Sequence, residues 1–454
     1  MLITKKITIN CPIKEAYNYL LDFSQIYEWD ENVEEAQRQD LGKIQVGSKF
    51  NLIYSIWGKK FKLQYELIDL SEKSYLHFQS LSNNFCSDDK IIFEDLGEKK
   101  TRITYKAKIT LKNKLSHFLL EIFMKKSGEK IIKKIKTCLE KKESNYNKDR
   151  SLNLVNLSYR FSKKGWNKRK KSFTMLPSIK KKILITGPTS GIGKSAAYTL
   201  AGKNCDLILI ARNEEKLESL KNDLKQKNFS QELSSYVCDI NDLKKLKKVC
   251  QKIEADGHKI DVLINNAGAL YNEEKLIDGV ERTTITHVFA PWFLSLNLLG
   301  QMNKKSCIIN VSSGGMYASK LSLKELKKSK SPFSGSKSYS QAKRAMEIVS
   351  SGLNSELKNN DIRVHTMHPG WADTPGVLSS LPGFYKVTKR FLRTPFQGAD
   401  TLVWLALSNP KDGGEFWLDR QIQKKHLFDS TLNSKGSYLK LKNFIESHIL
   451  NLEK

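Results

Sequence analysis

A chain of 454 residues is longer than one core ordinarily organises, and its 39% hydrophobic content is enough to bury two. The seven cysteines are odd in number, scattered and never in Cys-x-x-Cys spacing, which argues for a reducing compartment and against a disulfide framework or zinc site. The formal charge of +29 invites nucleic acid, but only 12 of the 77 basic residues are Arg, and the lysines are mixed with 48 acids along the whole chain, so nucleic acid is not an expected partner.

Residues 1–6 lead straight into an alternating strand over 2–9, so no signal peptide is expected. The most apolar stretch, 288–299, is too short to span a bilayer and carries Pro291 and Asn297. A soluble, cytoplasmic protein follows as the expectation. Pro12 opens a helix with Ile13, Ala16, Tyr17, Leu20 and Leu21 on one face. After a loop at Gly42 and Gly47, Phe61, Leu63, Tyr65 and Leu67 alternate with Lys62, Gln64 and Glu66. Ile103, Tyr105, Ala107 and Ile109 do the same with Arg102, Thr104, Lys106 and Lys108. Such strands bury one face, as in an antiparallel sheet. Leu115, Phe118, Leu119, Ile122, Ile131, Ile132, Ile135 and Leu139 then recur at helical spacing. This order over residues 1–145 resembles the helix-grip fold of the START-like (SRPBCC, polyketide cyclase/dehydrase) superfamily. The resemblance implies a curved sheet around the last helix and a cavity that takes a lipid or polyketide. An α+β domain with a filled core fits the same pattern.

From 146 to 182 the chain is polar and basic, the expected linker. Leu152, Val155, Tyr159 and Trp166 predict a short basic amphipathic helix there, which either packs on the following domain or touches an anionic membrane surface.

Over 183–454 the period changes. Continuous apolar runs at 183–185, 207–210, 262–264 and 308–309 alternate with charged helical stretches, which predicts a doubly wound parallel sheet of α/β class. After the first run comes Thr186-Gly187-Pro188-Thr189-Ser190-Gly191-Ile192-Gly193, a glycine turn opening a helix and suited to a pyrophosphate on the helix N-terminus. Tyr339 and Lys343 stand four apart in a helical stretch, so they share a face, and a nearby ammonium favours a phenolate that can exchange protons with an alcohol or carbonyl.

Thr186-Gly187…Gly191-Ile192-Gly193, Asp239, Asn265-Asn266-Ala267-Gly268, Ser312-Ser313, Tyr339…Lys343 and Pro369-Gly370…Thr374 occur in the order of the short-chain dehydrogenases/reductases (SDR), which this part resembles. The long Ser313–Tyr339 spacing is similar to the retinol-dehydrogenase-like branch. The resemblance implies a Rossmann fold and an oxidoreductase acting on CH–OH groups of a hydrophobic small molecule, and many such proteins form dimers, so a homodimer is an expectation. It also implies site roles. Tyr339 is the acid/base, Lys343 lowers its pKa and holds the nicotinamide ribose, and Ser313 hydrogen-bonds the substrate oxygen. Thr186, Gly187, Ser190, Gly191, Ile192, Gly193, Asp239, Ile240, Asn266, Ala267, Gly268, Pro369, Gly370 and Thr374 line the cofactor, with Asp239 at the adenine and Thr374 at the nicotinamide amide. The second apolar run ends in Ala211-Arg212-Asn213. No acid is there to grip a ribose 2′-hydroxyl, and Arg212 suits a 2′-phosphate, so NADP(H) is the expected cofactor. One departure stands out: His287 occupies the place of the family's fourth catalytic residue, an Asn that holds a relay water. Histidine titrates near neutral pH, so a relay with altered pH dependence is expected. A non-catalytic NADP(H)-binding sensor is the alternative.

Overall fold

The computed structural model describes residues 2–39, 44–56, 59–81, 85–97, 99–111, 117–140, 154–173, 176, 179–226, 231–328, 332–434 and 436–453. Gly42, Leu115 and Leu152 of the sequence reading lie outside them. The chain divides into two compact units, one of residues 1–145, 167–176 and 226–230, the other of 146–166, 177–225 and 231–454.

The first unit is one antiparallel sheet. Its strands are β1 (Leu2–Ile9), β2 (Val33–Arg38), β3 (Lys49–Ile56), β4 (Lys59–Ser71), β5 (Tyr75–Leu81), β6 (Phe85–Asp95) and β7 (Thr101–Leu111), in the order β1-β7-β6-β5-β4-β3-β2. The period-2 pattern sets the faces: Leu63, Tyr65 and Leu67 of β4 and Ile103, Tyr105, Ala107 and Ile109 of β7 are buried. Phe61, expected among them, is exposed. The covered face holds an aromatic cluster in which Phe23 stacks on Phe78 at 4.2 Å and meets Phe50 and Trp29 edge-on. The His117–Glu140 helix closes the unit, burying Ile131, Ile132 and Ile135.

The second unit carries an eight-stranded sheet. Its strands are β8 (Lys182–Thr186), β9 (Asp206–Ala211), β10 (Leu233–Val237), β11 (Ile260–Asn265), β14 (Met302–Val311), β15 (Arg363–Met367), β16 (Phe416–Leu418) and β17 (Gln421–Gln423); a separate two-stranded pair, β12 (Leu276–Ile277) and β13 (Val280–Glu281), lies between β11 and β14 in sequence. The order is β10-β9-β8-β11-β14-β15-β16-β17, parallel except for β16 with β17. Every residue of β9 is buried, as a sheet covered on both faces requires. This is the Rossmann-type α/β fold. β8 has β9 on one side and β11 on the other, so the direction of strand order reverses there and a crevice opens at the carboxyl ends of the strands.

The stretch read as a linker holds the Leu154–Phe161 and Lys163–Arg169 helices, and its residues 146–166 group with the second unit. The 154–161 helix turns its apolar side to protein: Leu157 and Phe161 join a cluster with Met316, Tyr317, Phe416 and Leu418, and Trp166 is buried. Arg393 fastens the end of this helix. Its fully buried guanidinium donates to the carbonyl oxygens of Arg160 (2.7 Å) and Phe161 (3.0 Å) and grips Asp419 through both terminal nitrogens (2.6 and 3.1 Å). No described helix is long and apolar enough to cross a membrane.

Candidate functional site

The carboxyl ends of β8, β9, β10, β11, β14 and β15 open into one cavity of about 620 Å³. Because the strands are parallel and in register, with Val262 beside Ile183 and Cys307, the loops that follow them arrive at the same level. Gly187 to Gly193 follow β8, Arg212 follows β9, Asp239 and Ile240 follow β10, and Asn266 to Gly268 follow β11. Ser312 and Ser313 follow β14, and His368 to Gly370 follow β15. Every one of these except Pro188 lines the cavity, together with Thr374.

The glycine turn is held open by sterics. Gly187 sits at φ +66°, where a Cβ would lie 2.9 Å from the Ala267 Cα. At Gly193 a Cβ would run into the Gly187 carbonyl oxygen and the Asn266 side-chain amide. Asn266 clasps the turn, its Nδ2 donating to the carbonyl oxygens of Thr186 and Gly187 at 3.0 Å each. Thr186 Oγ1 accepts from the backbone N–H groups of Asn266 and Ala267 at 3.0 Å each. The turn leads into the Gly191–Gly202 helix, whose N-cap Ser190 makes no side-chain cap and whose first residues, Gly191 to Gly193, line the cavity, as an anion on a helix N-terminus requires. This cradle fits a dinucleotide pyrophosphate.

Tyr339 and Lys343 lie on the Gly335–Glu356 helix, with the Lys343 Nζ 5.5 Å from the Tyr339 ring centre. Ser313 stands near enough to the Tyr339 hydroxyl to oppose the upward push of burial on it, and its Oγ accepts from the Gly315 N–H at 3.2 Å. Lys343 is 3% exposed and donates to the Val311 carbonyl oxygen at 2.6 Å. The expected lowering of the phenol is not found in the free chain. Burial pushes Tyr339 up to about 12, with Ser313 pulling the other way, and burial draws Lys343 down to about 7. A lysine that keeps only about half its charge at neutral pH favours a phenolate weakly.

For His287 the expected titration near neutral pH is not found. The residue lies in a π-helical segment, Ile285–Phe289, with its ring edge-on to Tyr339 at 5.1 Å between centres. Burial, and next the charge of Lys343, hold its pKa well below the usual range, so it does not titrate near neutrality. Its Nε2 lies 2.9 Å from the Ala269 carbonyl oxygen, which can only accept. The proton of the neutral ring is therefore on Nε2, and Nδ1, with no partner among the described residues, is a bare acceptor.

Asp239 takes a local role, accepting from the N–H (3.0 Å) and side-chain amide (2.9 Å) of Asn241. The cap of the next helix is Asp242. Thr374 Oγ1 caps the Pro375–Ser380 helix by accepting from the Val377 N–H at 3.3 Å.

Lining residues to which the sequence reading gave no role include Lys216, Asn241, Ser312 and His368. Lys216 adds a second cation beside Arg212, and its N–H is capped by Asn213. Asn241 is held by Thr286 at 2.6 Å. The Ser312 hydroxyl and both ring nitrogens of His368 are buried without a partner among the described residues. The His368 ring meets Phe161 at 4.1 Å. The adjacency of Ser312 to Ser313 and of His368 to Pro369-Gly370 was the available signal; nothing in the sequence foretold Phe161.

A family model described as short chain dehydrogenase matches residues 181–381. The human protein named Dehydrogenase/reductase SDR family member 12 is 34% identical over 258 residues, 56% of this chain and 80% of its own. A fatty acyl-CoA reductase of Acinetobacter baylyi is 30% identical over 242 residues, 52% of this chain and 76% of its own. Human retinol dehydrogenase 13 is 30% identical over 202 residues, 43% of this chain and 60% of its own.

Proposed function

Since this chain belongs to the short-chain dehydrogenase/reductase family, we propose that it is an NADP(H)-dependent oxidoreductase interconverting a hydrophobic alcohol and its carbonyl counterpart. The observation that carries the reading is the meeting of Ser313, Tyr339 and Lys343 at the cavity that the Gly187–Gly193 turn also lines. A bound nicotinamide cofactor supplies or accepts the hydride. The protein's own groups handle the proton and the charge. In the reducing direction the Tyr339 phenol, protonated at neutral pH, gives its proton to the carbonyl oxygen. Ser313 steadies that oxygen, and Lys343, once protonated, offsets the phenolate left behind. Neutral His287 offers Nδ1 as acceptor to a water behind Lys343, so the relay runs without a change in the charge of the imidazole.

Arg212 and Lys216, both exposed at the cavity beyond β9, support a 2′-phosphate and so NADP(H). A hydrophobic substrate is supported by Leu270, Tyr271, Trp371, Leu381 and Phe384 in the lining, and by relatives named for retinol and fatty acyl-CoA. We extend the proposal to the first unit as a START-like module for a lipid-like ligand. In support, its antiparallel sheet is closed by the long 117–140 helix.

The test is Tyr339→Phe. Turnover of a panel of aldehydes and ketones should fall by about 100-fold or more while NADPH binding is kept; undiminished turnover would sink the assignment. Arg212→Ala should shrink the preference for NADPH over NADH, and an unchanged ratio would remove the cofactor assignment.

A further inference from the structure

The segment between Pro375 and Phe391 forms one wall of the reaction cavity and is bare on its outer side. It consists of the Pro375–Ser380 and Pro382–Thr388 helices and a 3-10 turn, Lys389–Phe391, and no residue of the three is buried. Val377, Ser380, Leu381 and Phe384 face the cavity, and Phe384 stands edge-on to Trp371 at 5.3 Å. Away from it, Leu378 is 51%, Val387 78% and Phe391 44% exposed. Three large apolar side chains held in water within 14 residues are costly unless something covers them. Charge says what does. Lys386, Lys389 and Arg390 are exposed among them, Lys164 sits over the Phe391 ring at 5.7 Å, and the segment from 375 to 391 contains no carboxylate.

We propose that this wall docks on an anionic membrane surface, with Leu378, Val387 and Phe391 entering the headgroup boundary and the cations meeting lipid phosphates and carboxylates. Cations ringing apolar tips suit an interfacial segment, and they oppose a second copy of a chain with net charge +29. The inference deepens the oxidoreductase reading and rests on it for its meaning: the reaction cavity would open at the bilayer and draw its hydrophobic substrate from the lipid phase.

The experiment is sedimentation of the full chain with phosphatidylcholine vesicles with and without phosphatidylserine, at low and high salt. Binding is expected only with phosphatidylserine, weakening as salt rises. Val387→Ser with Phe391→Ser keeps the charge and should lower vesicle affinity by about tenfold or more. Lys386→Gln with Arg390→Gln should lower it by roughly 30-fold. Lys244→Gln with Lys248→Gln, which removes the same charge from exposed positions of the Leu243–Ala255 helix, should leave it within about twofold. Equal loss in that control would overturn the proposal in favour of general electrostatics. Wild-type binding by the serine pair would overturn it too, as would a dimer in lipid-free solution that the serine pair converts to monomer. NADPH titration of the same preparations separates the two readings. Intact NADPH binding without vesicle binding refutes docking alone, whereas vesicle binding without NADPH binding refutes the oxidoreductase reading alone.

Discussion

Binding of NADPH should draw a proton onto Lys343, in an amount set by pH. In the free chain burial holds this lysine at about 7, against an ordinary 10.5. A pKa depressed by that much is worth roughly 5 kcal/mol against the charged form. The sign follows from proton counting. Between about pH 7 and 10.5 the unfolded chain binds this proton and the folded chain does not, so this group's contribution to stability rises with pH across that window. Ribose hydroxyls accepting from the ammonium favour the charged form and reverse the shift. If binding returns Lys343 to its ordinary range, the complex takes up ~0.1 proton at pH 6, ~0.5 at pH 7 and ~0.9 at pH 8. Affinity should then fall by roughly tenfold from pH 8 to pH 9. Tyr339, pushed up to about 12, stays protonated throughout and adds nothing. The assay is calorimetric titration in pairs of buffers with different ionisation enthalpies at each pH, repeated with Lys343→Met, which should abolish the uptake. Tight NADPH binding with a buffer-independent enthalpy at pH 8 would refute the reasoning, since Lys343 would then keep one charge state in both forms.

Gly193→Ala puts a methyl group against the Gly187 carbonyl and the Asn266 amide, so the cradle must deform; the NADPH dissociation constant should rise by about tenfold or more. Arg393→Met leaves the fully buried Asp419 carboxylate without its bidentate partner. That costs about 3–5 kcal/mol and should lower the melting temperature by roughly 10 °C in scanning calorimetry. His287→Leu removes the Nδ1 acceptor and should lower kcat by about tenfold or more, whereas His287→Asn should retain most activity. Because His287 stays neutral, the pH profiles of the wild type and the Asn variant should show the same inflections between pH 5 and 8.

Much of this was legible where chemistry is local in sequence. The apolar runs gave the central strands because a sheet covered on both faces admits little else, and the glycine turn was readable because sterics fix its residues. Tyr339 and Lys343 share a face by helical geometry alone. What could not be read arises from distance along the chain. Phe161 meets His368 from a stretch whose composition is that of a linker, and Arg393 reaches back over more than 230 residues to the carbonyls of Arg160 and Phe161. The protonation states of Lys343 and His287 follow from burial, which spacing does not report. Thr374 matched its family pattern while its hydroxyl serves a helix cap that the pattern does not mention.

The Arg393 clasp bears on how the chain matures during synthesis. The 154–161 helix leaves the ribosome ahead of β8, but the group that ties down its last carbonyls is made more than 230 residues later, and Asp419 later still. Until then its apolar side can only dock in passing, because Phe416 and Leu418 of its cluster do not yet exist. A nascent or truncated chain that stops short of residue 416 therefore leaves the cluster around Phe161 incomplete, open to solvent and to chaperones on that side. Completion of this edge of the sheet is what converts the leading segment from bait for quality control into part of the enzyme.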